Sequence, residues 1–416
     1  MKTVFALLIF VLYIYRIHFN FFAVDIFTYF YAFSSVVYIM IFRYDFCAIL
    51  RFMRGKTKNA IYLSVFMLFI ALIWGVLTVW MNDGEYSYIV YLLNSFGMMA
   101  IHSALVLFVY KTFPDKNLLM TFCDLYIASA VIYVLSTLMM VVMPELKDYW
   151  WGLIMASERA VQVIDDFHPT RVGLRGISTV QISFINNIAV ILCLYCMQYR
   201  RSLKYVIIGA FLLLGDLLYA RWGIAASLGI LIMFFIFGQN RIDIIKKISI
   251  MICMFLLIIS IAAYCFFDAQ TLSLLIYWIT QPVESFSDGL KYGQFTLGSS
   301  GDNLVENMYF MPSESTFLLG DGKFVNDDQS YYGHTDAGIM RNILFYGVFG
   351  ELLGYSSLVI FISSLLIINR NWFIVLSFLF LFFFAEAKFN TFYDLYGVGS
   401  SLILAMSYPF NRKNTW

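Results

Sequence analysis

The chain has 416 residues, of which 62% are hydrophobic, 19% aromatic and only 13% charged, and its formal net charge is +1. A water-soluble domain is roughly half apolar and about a quarter charged, so one soluble globule is excluded and no nucleic-acid partner is expected. The composition is that of a multi-span membrane protein.

Apolar runs able to cross about 30 Å of hydrocarbon as helices recur along the whole chain. They predict spans at 3–22, 24–42, 60–80, 88–110, 119–143, 177–197, 204–219, 222–239, 247–267, 343–369, 371–387 and 394–410. The expected fold is an all-α, polytopic bundle of about twelve transmembrane helices, one integral-membrane domain over 1–416. Lys2 followed by the apolar stretch Val4 to Tyr15 resembles a secretory signal. No small-x-small site follows and Arg16 ends the run, so it reads as an uncleaved first span.

Basic residues set the orientation. Placing Lys2, the 43–58 segment, Lys111, Lys116, Arg200, Arg201, Lys204, Arg241, Lys246, Lys247, Arg370, Arg412 and Lys413 in the cytoplasm puts 17 of the 27 lysines and arginines inside. That alternation places both termini inside. The acidic Asn82-Asp83-Gly84-Glu85 connection then falls outside, together with two long polar loops at 144–176 and 268–340. All six cysteines lie in spans or on the inner side, and Cys193 and Cys196 read as packing residues.

In the first long loop, residues 150–163 have helical apolar spacing, with Trp150 and Trp151 expected at the headgroup level. His168 and Pro169 break it. Arg171 and Arg175 follow, four apart, and share one face of the next helix if it begins there. Paired guanidiniums at a membrane boundary suit a phosphate or diphosphate; the alternatives are snorkelling anchors or ion pairs with Asp165 and Asp166.

Asp216 and Arg221 flank the short turn between spans seven and eight, near the outer surface. Ionisable residues at that depth are costly and are functional candidates, unless they only pair with each other. The second long loop carries ten carboxylates between Asp268 and Asp336 against Lys291 and Lys323. Its acids suit a hydroxyl-rich ligand. Near its end, His334 stands two residues before Asp336 and seven before Arg341, where a carboxylate could orient an imidazole for proton transfer; Glu314 is a rival acid. Gly320-Asp321-Gly322 reads as a turn. Glu386 and Lys388 either complete a polar cavity or pair with each other, and His102 reads as a contact between helices. The adjacent pairs Asp165-Asp166 and Asp327-Asp328 give weak support for a metal, and none is expected.

Together these features resemble the bacterial O-antigen polymerase (Wzy-type) family and, more distantly, the O-antigen ligases. The residues that carry the resemblance are Arg171-Val172-Gly173-Leu174-Arg175-Gly176, Ala220-Arg221-Trp222-Gly223, Leu318-Leu319-Gly320-Asp321-Gly322 and Thr335-Asp336-Ala337-Gly338, with Gly347 and Gly350 beyond. Relatives often carry Ser where Thr335 stands. The resemblance covers nearly the full length and implies a GT-C-like bundle in the inner membrane. The implied activity is metal- and cofactor-independent transfer of a glycan from undecaprenyl diphosphate to another lipid-linked repeat unit, at the periplasmic face. It also implies Arg171, Arg175, Arg221 and Arg341 as a diphosphate clamp, and His334, Asp336 or Glu314 as the base. A Wzz-type chain-length regulator and a flippase are the implied neighbours. A ligase, a lipid-linked oligosaccharide flippase and a solute transporter are the competing readings; a transporter predicts broken helices and charges near the midplane.

Overall fold

The computed structural model describes residues 1–20, 24–86, 89–154, 171–177, 179–200, 202–238, 241–266, 273, 276, 302–326 and 330–409. These form α1 (Lys2–Tyr15), α2 (Val24–Ile41), α3 (Arg43–Arg51), α4 (Gly55–Met81), α5 (Ile89–Thr112), α6 (Leu118–Val142) and α7 (Pro144–Leu153). A two-stranded hairpin, β1 (Val172–Gly173) and β2 (Gly176–Ile177), precedes α8 (Val180–Arg200), α9 (Leu203–Tyr219), α10 (Arg221–Phe237) and α11 (Arg241–Phe266). After the short α12 (Glu314–Leu319) come α13 (Gly338–Asn369), α14 (Trp372–Glu386) and α15 (Phe392–Ser407).

A helix occupies each predicted span. Among the described residues, six helices are long and apolar enough to cross a membrane, and a seventh crossing is formed if Tyr29–Ile41 and Arg43–Arg51, bent by 82°, count together. Three more apolar helices, Lys2–Tyr15, Trp222–Phe237 and Trp372–Glu386, are shorter. The amphipathic α3 lies in the basic 43–58 segment expected in the cytoplasm. It carries Asp45 in its first turn and Arg51 in its last, which suits the helix dipole, and Asp45 pairs with Lys111 of α5 at 2.9 Å.

The core is centred on α8, whose residues from Ile182 to Met197 are all buried. Around it lie α6, α9, α10 and α14, and α13 packs beside α4 and α15. Close helix contacts rest on small residues, as they do where lipid supplies no hydrophobic drive. A Cβ on Gly350 would come within 2.6 Å of the Trp74 ring, and one on Gly397 within 2.5 Å of the His102 ring. His102 is thus a packed residue between α5 and α15.

Side chains close several helix starts. Asn117, Ser202 and Asn371 accept from the backbone N–H of Met120, Lys204 and Ile374. One long helix is interrupted. Gly347 has φ 65° and ψ 173° inside α13, which separates a first segment at the mouth of the bundle from the membrane-length remainder.

Candidate functional site

The polar residues meet at one end of the bundle, where the connections α1–α2, α14–α15 and the two long loops come together. The first loop is built on aromatic donors. Trp150 Nε1 donates to the Leu174 carbonyl at 3.0 Å, Trp151 Nε1 to that of Gly173 at 3.3 Å, and Thr137 Oγ1 to that of Val172 at 2.9 Å. The tryptophans therefore hold the hairpin down. Residues 155–170, which include Asp165, Asp166, His168 and Pro169, lie outside the described residues, as does most of the predicted surface helix.

Arg171 and Arg175 do not share a helix face. Val172 pairs with Ile177 and Gly173 with Gly176, so Arg175 stands in the tight turn of a β-hairpin and Arg171 before its first strand. Gly176 at φ 97° supplies the left-handed backbone that such a turn requires, and α8 begins only at Val180. From the turn, Arg175 Nη1 donates to Gln181 Oε1 at 2.8 Å, and Gln181 Nε2 donates to Asp394 Oδ2 at 3.3 Å. The other oxygen of Asp394 accepts from Arg16 Nη2 at 3.0 Å, an ion pair buried on both sides. His18 lies beside this group, near Arg175 and Arg16.

Asp394 leads on to the second loop. Its backbone N–H donates to the Thr391 carbonyl, and the Thr391 N–H donates to Glu386 Oε1 at 2.6 Å. Glu386 Oε2 accepts from Tyr355 Oη at 2.9 Å and Asn342 Nδ2 at 3.3 Å, while Asn390 Nδ2 donates to Asn342 Oδ1 at 3.2 Å. Tyr309, from the second loop, donates to the Ala387 carbonyl at 2.8 Å. Burial, then Glu351 and Glu386, raise the Tyr309 phenol to about 12. Among the described residues no ion pair joins Glu386 to Lys388, which is half-exposed. Hydrogen bonds thus run from Arg175 to Asn342, the neighbour of Arg341.

Arg341 is buried and packs its guanidinium against Phe324, 4.4 Å from the ring centre, and Tyr331, at 4.0 Å. It braces the second loop. Tyr332 Oη and Thr316 Oγ1 donate to the Asp321 carboxylate at 2.8 and 2.9 Å, and burial followed by that bond raises the Tyr332 phenol to about 12. The Gly320-Asp321-Gly322 turn is more than a chain reversal: Asp321 N–H donates to the Leu344 carbonyl, Gly322 N–H to that of Phe345, and Asn82 Nδ2 to that of Gly320. It locks the loop to α13 and α4.

The exposed His334, at φ 54°, has Ser330 Oγ 3.2 Å from its Nδ1. No hydrogen bond joins it to Asp336 among the described residues, because the extended residue Thr335 between them hydrogen-bonds to Met308 O and directs the chain inward. Glu314 is exposed at the start of α12, behind the Ser313 cap. Asp327 and Asp328 lie outside the described residues. Asp216 is fully buried and accepts from Ser183 Oγ at 3.0 Å, Asn187 Nδ2 at 3.1 Å and Ser227 Oγ at 2.6 Å. It ties α8, α9 and α10 together through neutral donors. Arg221 begins α10, and its side chain lies outside the description.

Arg16, His18, Gln181, Tyr355, Glu351 and Asp394 belong to this end of the bundle and are not among the site residues read from the sequence. The available signal was depth: Arg16, Glu351 and Asp394 are ionisable residues inside or at the edge of predicted spans. Among the described residues, no group of three or more His, Cys, Asp or Glu could hold a metal ion. No family model, curated protein or solved structure matches the chain.

Proposed function

We propose that this chain is an integral-membrane glycosyltransferase of the O-antigen polymerase type. In this reading it crosses the bacterial inner membrane about twelve times with both termini in the cytoplasm. It joins undecaprenyl-diphosphate-linked repeat units at the outer face. The observation that carries the reading is the convergence of both long loops on one end of an apolar bundle. One loop presents Arg171 and Arg175, the other presents His334, Ser330 and acidic residues, and the α14–α15 connection ties them together.

The chemistry follows from those positions. Arg175 and Arg171 hold the lipid diphosphate, with Arg16, Gln181 and Asp394 fixing the orientation of Arg175. As the bond from the anomeric carbon to the diphosphate oxygen breaks, charge grows on that oxygen, and preoriented guanidiniums stabilise it. The acceptor hydroxyl oxygen forms the new bond, and its proton passes to the exposed Nε2 of His334 while Ser330 accepts from Nδ1–H. Arg341 is a positioning residue, since its stacking on Tyr331 holds the turn that bears His334. Arg221 is the remaining clamp candidate.

The test is complementation of a deletion strain. Arg175→Ala is expected to reduce long chains by ~100-fold or more, the scale for losing one oxyanion donor, while single capped units persist. Normal chain-length ladders at equal protein level would remove Arg175 from the mechanism. Accumulated lipid-linked polymer in the deletion strain would instead mark a ligase.

A further inference from the structure

A cleft of about 750 Å³ opens at the opposite end of the bundle, between the start of α1, the α5–α6 connection, the start of α6 and the α8–α9 turn. Its two parts differ in chemistry. The mouth carries Lys116, Arg200 and Lys204 against Asp115 and Asp124, an excess of one positive charge. The wall behind it is formed by Leu7, Met120, Leu125, Ala128 and Ile208. From Met120 to Ala128 the wall descends α6 by roughly 12 Å, at about 1.5 Å per residue, which is the depth of an acyl chain's upper half.

The charges in the mouth are arranged, not scattered. Arg200 Nη1 donates to Asp124 Oδ2 at 2.6 Å, Tyr205 Oη donates to Asp124 Oδ1 at 2.7 Å, and Lys204 Nζ lies 3.7 Å from the same oxygen. One carboxylate thus answers two cations. Lys204 stays half-exposed over the Tyr205 ring, and Lys116 lies over the Phe113 ring at 5.0 Å. Both lysines line the cleft and are exposed. A soluble anion would have no use for the apolar wall, and a neutral lipid none for the excess cation.

We propose that this cleft binds one anionic glycerophospholipid from the leaflet at the basic end of the bundle. Its phosphodiester sits between Lys116 and Lys204, and one acyl chain follows α6. The occupant has a monoanionic phosphodiester and an uncharged remainder, because the mouth's single excess charge is then neutralised. The inference stands apart from the transferase reading.

Native mass spectrometry of the full chain, delipidated and then returned to micelles holding equal phosphatidylglycerol and phosphatidylethanolamine, tests it. One retained phosphatidylglycerol per chain is expected, in preference to phosphatidylethanolamine. Lys116→Ala and Lys204→Ala should each weaken retention about fivefold, the ratio for one cation near a lipid surface. Ala128→Trp, which fills the wall and leaves the mouth intact, should abolish it. Equal retention of the two lipids, preference for phosphatidylethanolamine, or unchanged retention in both lysine variants would overturn the proposal. The lysines are surface residues, so their replacement leaves folding intact.

Discussion

At the residue scale, the Arg16–Asp394 pair is where removal should be felt most. Both side chains are buried and Asp394 also serves Gln181, so the loss of Arg16 leaves a carboxylate in the interior with a single weak donor. Breaking a buried pair from one side costs about 3–5 kcal/mol. Arg16→Ala should therefore lower the unfolding midpoint of the purified protein well below that of Arg16→Lys, which keeps a charge for Asp394. Equal midpoints for the two variants would show that the pair contributes little. Their sequence positions, 378 residues apart, carry no sign that they meet. Each could be recognised only as a costly ionisable residue near a span end. The same holds for Glu386: its sequence neighbour Lys388 suggested a pair, while its real donors come from α13 and the α14–α15 connection. Local sequence proximity misled because Glu386 ends α14 and Ala387 is still helical, so residues two apart lie roughly 200° apart around the axis and point in different directions.

At the scale of elements, helices were legible and loop architecture was not. Long apolar runs leave the backbone no partner but itself in lipid, so a helix lies within each predicted span, six or seven of them among the described residues long and apolar enough to cross a membrane. The segment at 171–177 shows the opposite case. Arginines four apart suggested a helix face, but Gly173 and Gly176 favour a tight reversal, and the carbonyls that bind Trp150, Trp151 and Thr137 are available only in the hairpin. The second loop depends in the same way on Gly320, whose φ of 81° disfavours any side chain, and whose added Cβ would meet the backbone of Phe345 and Gly347. Gly320→Ala should cost about 1–3 kcal/mol and release the 313–324 segment from α13. Hydrogen exchange would show this as faster exchange at Asp321 and Gly322, whose N–H groups donate to Leu344 and Phe345. Gly55→Ala, where an added Cβ meets nothing within 4 Å, is the matched control and should leave exchange unchanged. Identical exchange in the Gly320 variant would mean that the turn does not hold the loop.

At the scale of the whole molecule, composition and basic-residue alternation already separate two unlike ends, and the structure gives each a distinct chemistry. One end gathers Arg16, Arg175, Asp394, Glu386 and His334; the other gathers Lys116, Asp124, Arg200 and Lys204, with Lys111 held by Asp45. What the sequence could not show is that the two long loops share an end through one run of hydrogen bonds, since that depends on how α13, α14 and α15 pack. The proposed orientation makes a sharp demand on this polarity, because helices α1 and α8 each carry one end's residues at one terminus and the other end's at the opposite terminus. Single cysteines placed at Glu85, Asp148 and Lys323 in a background without the native cysteines should react with a membrane-impermeant maleimide in intact spheroplasts. Cysteines at Lys58, Lys116 and Arg370 should react only after the membrane is opened. If Lys116 and Lys323 label together in intact spheroplasts, the two ends do not face opposite sides of the membrane. The diphosphate clamp would then lose its outer location, while the lipid cleft, defined by its own charges and walls, would keep its test.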